Sequence, residues 1–110
     1  MAVYTPKKLY VGQPGTTAGT LYTAPASTTT ILKNILMNNV TSTDATVTIN
    51  LVPSGSSAAT TNRIFTAYTV KANDTVAVDV STVMSTGDFI SALQGTSAAI
   101  TIYISGVEVV

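Results

Sequence analysis

ITIYIS, the stretch Ile100–Ser105, alternates three isoleucines with a threonine, a tyrosine and a serine. Successive side chains of a β-strand point to opposite faces, so this alternation predicts a strand with one face on a core and the other toward solvent or a partner. Thr46–Leu51 repeats the pattern with Val, Ile and Leu on one side, and Thr75–Val80 repeats it with three valines. Three such strands in one short chain indicate an all-β protein.

Turn residues separate these strands from weaker ones. The turn signals lie at residues 12–15, 41–44, 53–57, 72–74, 85–88 and 94–97. Between them, weaker strands are predicted at Lys8–Val11, Gly19–Thr23, Ile64–Val70 and Phe89–Leu93. About eight short strands at roughly ten-residue spacing predict one small β-sandwich or jelly-roll-like domain over residues 1–110. The spacing does not distinguish a jelly roll from an immunoglobulin-like strand order.

One segment fits two kinds of secondary structure. In Ile31–Met37 the isoleucines and the leucines recur four residues apart, which is helical spacing, and Ser27 could cap such a helix. The preceding run of threonines is a poor helix start, so we predict a strand. Its lack of clean alternation is typical of a strand that is buried on both faces. Residues 81–85 are compatible with a single helical turn.

The composition excludes several classes of function. Charged residues make up 9% of the chain and balance to zero net charge, while threonine and serine together number 31. Because Cys and His are both absent, disulfides, thiolate or histidine catalysis and the usual zinc ligands are excluded, and we expect no metal and no cofactor. Five scattered basic residues cannot form a phosphate-binding face, so we expect no nucleic-acid partner.

The sequence also carries predictions about location. No apolar run is long enough to span a membrane, so we expect no membrane partner. The first residues, MAVYTPKK, contain no apolar core of a signal peptide. We therefore expect that the chain is made in a cytoplasm and carries no secretion signal of its own.

The few reactive side chains have ordinary structural explanations. Asp44, Asp74 and Asp88 lie beside turn residues, where an aspartate caps its own backbone, so we expect no catalytic residues and no enzyme. Five tyrosines could form a platform on which sugars stack, but they fit better on strand faces or in an oligomer interface. They are Tyr4, Tyr10, Tyr22, Tyr68 and Tyr103.

The low charge and the apolar ends predict self-association. Zero net charge protects a monomer poorly from association, and the strand at Ile100–Ile104 has no charged residue to guard it. We therefore predict that the terminal segments Val3–Tyr10 and Val107–Val110 contact neighbouring subunits. The candidate interface residues are Val3, Tyr4, Leu9, Tyr10, Val107, Val109 and Val110.

Several segments, taken in order, resemble one family of proteins. Gly15–Lys33 (GTTAGTLYTAPASTTTILK) is similar to the opening of small structural proteins of tailed bacteriophage virions, and three later segments agree: LVPSG at 51–55, GDFISA at 87–92 and ISGVEV at 104–109. The resemblance implies a compact β-sandwich that decorates, extends or adapts the head or tail, with no catalytic residues. It implies synthesis in the cytoplasm of the bacterial host, localisation in the virion, self-association that is commonly threefold, and docking onto a larger virion protein. The alternative function is a receptor- or carbohydrate-binding module at a fibre tip.

Overall fold

Eight antiparallel strands form two four-stranded sheets that face each other. The computed structural model describes residues 2–110 of the chain. The strands are β1 (Tyr4–Gly12), β2 (Gly19–Thr23), β3 (Thr29–Asn39), β4 (Ala45–Val52), β5 (Arg63–Val70), β6 (Thr75–Met84), β7 (Phe89–Gln94) and β8 (Ile100–Val109). The first sheet has the order β1-β8-β3-β6, and the second has the order β2-β7-β4-β5. The chain crosses between the sheets at every connection except β4–β5, and this strand order is that of a jelly roll.

The strands predicted from the sequence are all present. The three alternating stretches lie within β4, β6 and β8, and the four weaker ones lie within β1, β2, β5 and β7. In β8 the even-numbered residues from Ile100 to Gly106 are buried, while Tyr103 is exposed, as alternation requires. The all-β prediction is thus confirmed, and the strand order favours the jelly roll over the immunoglobulin-like alternative.

A β-bulge explains why the segment Ile31–Met37 fits two patterns. It is a strand, as predicted, but it is not buried on both faces within this chain. Pairing with both neighbours shifts register between Leu32 and Asn34: Lys33 is an extra residue relative to β8, whereas in the pairing with β6 the extra residue is on β6. Leu32 points into the core before the bulge, and Ile35 and Met37 point into it afterwards. The extra residue therefore breaks the two-residue period and produces an apparently helical spacing.

Two local features differ from the sequence prediction. The helical turn at residues 81–85 is not formed, because β6 continues as a strand to Met84. A short 3-10 helix at Thr60–Asn62 lies instead in the β4–β5 connection. Asn62 holds this connection together, because its side chain accepts from Ala59 N at 3.1 Å and donates to Ser57 O at 3.0 Å. Within residues 2–110, no helix has the length and hydropathy that crossing a membrane would require.

The core consists of aliphatic side chains between the sheets. Ile35, Met37, Ile102 and Ile104 contribute from the first sheet and are fully buried. Val47, Ile49 and Ile90 face them from the second sheet. Burying one such side chain contributes about 1.5–3 kcal/mol, so this layer is the main source of stability.

Two buried amide side chains close the ends of the core. The Gln94 side chain donates to Pro14 O and accepts from Ala99 N at 3.2 Å and Ile100 N at 2.7 Å. At Asn39 the side chain donates to Val70 O at 2.9 Å and accepts from Thr41 N at 2.9 Å. Every buried side-chain nitrogen or oxygen in the described part of the chain has a partner. The amides thus satisfy loop backbone groups that no strand pairs.

Candidate subunit interface

The two sheets differ in what covers their outer faces. On the second sheet, the β4–β5 connection folds back over β4, where Asn50 donates to Ala59 O at 2.8 Å and to Asn62 Oδ1 at 2.7 Å. Val52, Asn50 and the neighbouring Ser91 are consequently buried even though they point away from the core. Within residues 2–110, no comparable connection covers the first sheet, so its outward side chains lie on a bare surface.

Strand register arranges the outer face of the first sheet into rows. Residues that are directly opposite each other on paired strands form each row. The first apolar row contains Pro6, Val107, Ile31 and Val83. The second apolar row contains Val11, Tyr103, Leu36 and Ala77. Between them lies the polar row, which contains Lys8, Ser105, Asn34 and Asp79. Each row takes one residue from each of β1, β8, β3 and β6.

The apolar rows are open to solvent in the single chain. Val83 is 65% exposed, Val11 is 47% exposed, and Tyr4, at the end of the same face, is 66% exposed. With strands about 4.8 Å apart and side chains on one face about 6.8 Å apart, the rows with their flanking residues span about 19 by 27 Å. The whole face, with the polar row between the two apolar rows, thus covers about 500 Å².

The polar row places opposite charges at opposite edges of this face. Lys8 lies on the edge strand β1, with its Nζ 6.0 Å from the centre of the Tyr103 ring. Asp79 lies on the other edge strand, β6, where its Oδ1 accepts from Asn34 Nδ2 at 2.9 Å. Lys33, the bulged residue, is exposed beside Asn34. Within residues 2–110, neither Lys8 nor Asp79 forms a salt bridge.

The structure brings some of the predicted interface residues together on this face. Tyr4 and Val109 are directly opposite each other at its end, and Val107 lies in the first apolar row. Val3 and Val110 bond to each other through two backbone hydrogen bonds of 2.7 and 3.0 Å, and both are exposed.

Two of the predicted residues point the other way. Leu9 belongs to the chain's own core and is only 8% exposed. Tyr10 is half-buried and packs against that core. The β1 pairing shifts register between Lys8 and Tyr10, so Leu9 and Tyr10 occupy a bulge that turns them inward. Leu9 is therefore not available to a partner, and Tyr10 presents only part of its side chain.

Sequence reasoning missed the contributions of β3 and β6 to this face. Ile31 and Leu36 on β3, and Ala77 and Val83 on β6, occupy outward positions. The signal was present, because Leu36 stands between two buried residues of β3, and both phases of that strand contain apolar side chains. This pattern predicted burial of both faces of the strand, whereas one face of β3 packs on the core and the other is bare.

A second cluster joins the two sheets on the inner side. Glu108 Oε1 lies 3.2 Å from Lys7 Nζ, and Glu108 Oε2 accepts from Tyr22 Oη at 2.5 Å. The Tyr22 hydroxyl also lies 2.8 Å from Thr30 Oγ1. Because Tyr22 belongs to the second sheet and its partners to the first, these bonds tie the sheets together.

The cluster shifts two pKa values in opposite directions. Burial, followed by the bond to Glu108, raises the pKa of Tyr22 to about 12. The bond from Tyr22, and then the nearby Lys7, lower the pKa of Glu108 below its ordinary value of 4.5. The ionised form of Glu108 and the neutral form of Tyr22 are thus the forms that stabilise the fold.

We expect stability to decline at both extremes of pH. A lowered carboxyl pKa stabilises the fold above pH 4.5, and this contribution is lost as pH falls through the folded-state pKa. A raised tyrosine pKa stabilises the fold below pH 10.0, and this contribution is lost as pH rises toward 12. Urea unfolding of the wild type and of Glu108→Gln, followed from pH 7 to pH 3, measures the acid part. The stability difference between the two proteins should shrink as pH falls, and a constant difference would contradict this account.

The remaining carboxylates serve the backbone of loops. Asp88 accepts from Ser54 N and Ser85 N, each at 2.9 Å. Asp74 accepts from Thr75 N at 2.9 Å, whereas Asp44 accepts from Ala72 N of another loop rather than from its own. Within residues 2–110 there is no group of three acidic residues that could hold a metal ion, and no pocket.

The five tyrosines do not share one surface. Tyr10 and Tyr22 pack against the core, whereas Tyr4 and Tyr103 lie on the outer face of the first sheet. Tyr68 belongs to the second sheet, where its ring contacts Phe65 at 5.8 Å between centroids. This arrangement does not favour a sugar-stacking platform.

The chain is similar to known proteins in its fold and not in its sequence. No protein-family model matches the chain, and no curated protein matches it in sequence. Among solved structures, it is similar to a subunit of the Bacillus endospore appendages, described as disulfide-linked pili, with 15% identity and a TM-score of 0.53 over 98% of this chain and 85% of that one. A tobacco streak virus coat protein gives 11% identity and a TM-score of 0.47, covering 98% and 84% of the two chains. An infectious bursal disease virus protein gives 10% and 0.44, and this chain spans 29% of its length. At 15% identity, the likeness to the endospore appendage subunit shows a shared fold alone.

Proposed function

We propose that this chain is a non-enzymatic structural subunit of a bacteriophage virion, which acts by self-association and by docking onto a larger virion protein. The observation that carries the proposal is the bare outer face of the first sheet, with its two apolar rows. A chain that kept this face of about 500 Å² in water would leave both apolar rows exposed. A subunit that covers it in an assembly gains the free energy of burying it.

Other properties of the chain suit an assembly component. The β-branched strands are conformationally stiff, and the reactive groups described above are engaged in structural bonds. The chain contains no cysteine, so disulfides would not link it to its neighbours, unlike the subunits of the disulfide-linked pili to which its fold is similar. The resemblance of four sequence segments to structural proteins of tailed phages supports the virion as the assembly. It also supports a decoration, fibre or adaptor position, and threefold closure as one form of self-association.

The virion proposal is tested on particles. Cells that carry the gene are induced to release particles, which are banded in a density gradient and analysed by quantitative mass spectrometry. We expect the chain to co-purify with the particles in many copies each, and to remain bound after a high-salt wash because apolar burial is insensitive to salt. Its absence from banded particles that contain the other coat components would contradict the proposal.

A further inference from the structure

We infer that a second copy of this chain covers the outer face of the first sheet, related to the first copy by a twofold axis that runs along the strands between β8 and β3. This inference rests on the proposed function, because it specifies which surface self-associates and how.

Only two twofold arrangements stack this face squarely on itself. When the axis runs along the strands, β1 of one copy lies over β6 of the other, β8 lies over β3, and each row meets the same row. When the axis runs across the strands through the polar row, every strand lies over its own counterpart, and the first apolar row meets the second. Both arrangements are isologous, since the same patch is used on both copies.

Charge distinguishes the two arrangements. With the axis along the strands, Lys8 at one edge of the polar row faces Asp79 at the opposite edge of the partner's row, and this happens twice. With the axis across the strands, Lys8 faces the second copy of itself, and so does Asp79. Like charges brought together in a desolvated interface are strongly unfavourable, whereas opposite charges are complementary.

The apolar rows also fit when the axis runs along the strands. The largest outward side chain, Tyr103 on β8, lies over Leu36 on β3, and Val107 lies over Ile31. On the flanking strands, Val11 lies over the small Ala77. Each apolar residue thus meets another apolar residue.

The outer face of the first sheet is large enough for a specific dimer interface. Two patches of about 500 Å² each bury about 1,000 Å² in total even when the corrugation of their surfaces is ignored, which reaches the lower bound for biological interfaces. Facing sheets cross at about 30°. Because the edge strands lie only about 7 Å from the axis, such a rotation displaces Lys8 from Asp79 by about 4 Å, which a lysine side chain spans.

Charge reversal tests the arrangement. We expect the purified wild type to run as a pair of 11.3 kDa chains by light scattering on a sizing column. Lys8→Asp and Asp79→Lys should each raise the dissociation constant at least tenfold, because each places like charges together at two sites. The double variant restores opposite charges and should recover the affinity. Lys71→Asp makes the same charge change at an exposed loop position and should leave the mass unchanged.

A zero-length cross-link provides a second readout. Within one chain Lys8 and Asp79 lie three strand spacings apart, about 14 Å between Cα atoms, which is too far for their side chains to form an amide. A carbodiimide should therefore couple them only between chains. In an equal mixture of ¹⁴N- and ¹⁵N-labelled protein, half of the peptides that join the two residues should contain both labels. Absence of this cross-link in a dimeric sample would overturn the inference.

The outcomes separate this inference from the proposed function. Association that neither single reversal weakens would overturn the twofold arrangement, while self-association itself would stand. Loss of association in both single variants without recovery in the double variant would also overturn it, because the face would then be used in another geometry. A wild type that stays at 11.3 kDa at high concentration would overturn the inference, and the particle experiment would test the virion role independently.

Discussion

Gly106→Ala is expected to lower the free energy of unfolding by about 3 kcal/mol or more, which would leave much of the protein unfolded if its stability is typical for its size. Gly106 lies on β8, in the middle of the first sheet, opposite Leu32 on β3 and Lys7 on β1. A methyl group there would overlap the backbone carbonyl oxygen of Ile31 and would lie 2.9 Å from Leu9 Cδ1. Because β8 is paired on both sides, it cannot move away from the overlap without breaking a ladder.

Gly19→Ala is the matched control. Gly19 is also in a strand, but a Cβ there would meet no atom within 4 Å, and its backbone is not left-handed. We expect a change within about 0.5 kcal/mol, or a slight gain because alanine restricts the unfolded chain. Urea unfolding followed by circular dichroism measures both variants. If Gly106→Ala unfolded at the wild-type urea concentration, the close approach of β8 to β3 would be contradicted.

Gln94→Ala is expected to lower the free energy of unfolding by about 4 kcal/mol. This is the other of the two largest effects that we predict. The substitution removes one side chain and leaves three backbone groups without their partner: the N–H groups of Ala99 and Ile100 and the carbonyl of Pro14. Each unpaired buried group costs about 1–3 kcal/mol. The loss concentrates where β7 ends and β8 begins, so the amide protons of Ala99 and Ile100 should also exchange faster with solvent.

Gln13→Ala provides the comparison for this second change. The Gln13 amide donates to Ala98 O and Thr101 Oγ1, both at 3.3 Å, and these bonds are exposed to water. Water replaces such bonds, so we expect Gln13→Ala to lower the free energy of unfolding by less than about 0.5 kcal/mol. Equal losses in stability for the two glutamine variants would show that burial of the Gln94 amide contributes nothing.

Much of the fold was predictable because its signals are local. Ile100–Ser105 and its counterparts in β4 and β6 alternate over five or six consecutive residues, and turn residues mark where each strand stops. The prediction was incomplete where a tertiary feature disturbed the local pattern. The bulge at Lys33 shifted the period of β3, and the continuation of β6 through Ser81 depends on pairing with β3.

The candidate interface was less predictable than the fold, since it depends on which strands become neighbours in the sheet. Val107 and Val109, which the sequence predicts as interface residues, lie on the outer face and are half-buried. Leu9 could not be distinguished from them, because a bulge in β1 turns it inward. Likewise, nothing near Gln94 in the sequence indicates that its amide reaches back to Pro14, which lies 80 residues earlier.

By itself the sequence determined that this protein is all-β, where its strands lie and which side of β4, β6 and β8 faces a core, because alternation and turn chemistry act between near neighbours in the chain. Only the tertiary structure decided that β1, β8, β3 and β6 share one sheet, and that their outward side chains form two apolar rows around a polar row. Those rows exist because long-range pairing fixes the register between strands that are distant in sequence. Only that register places the opposite charges of Lys8 and Asp79 in one row, at opposite edges of the sheet.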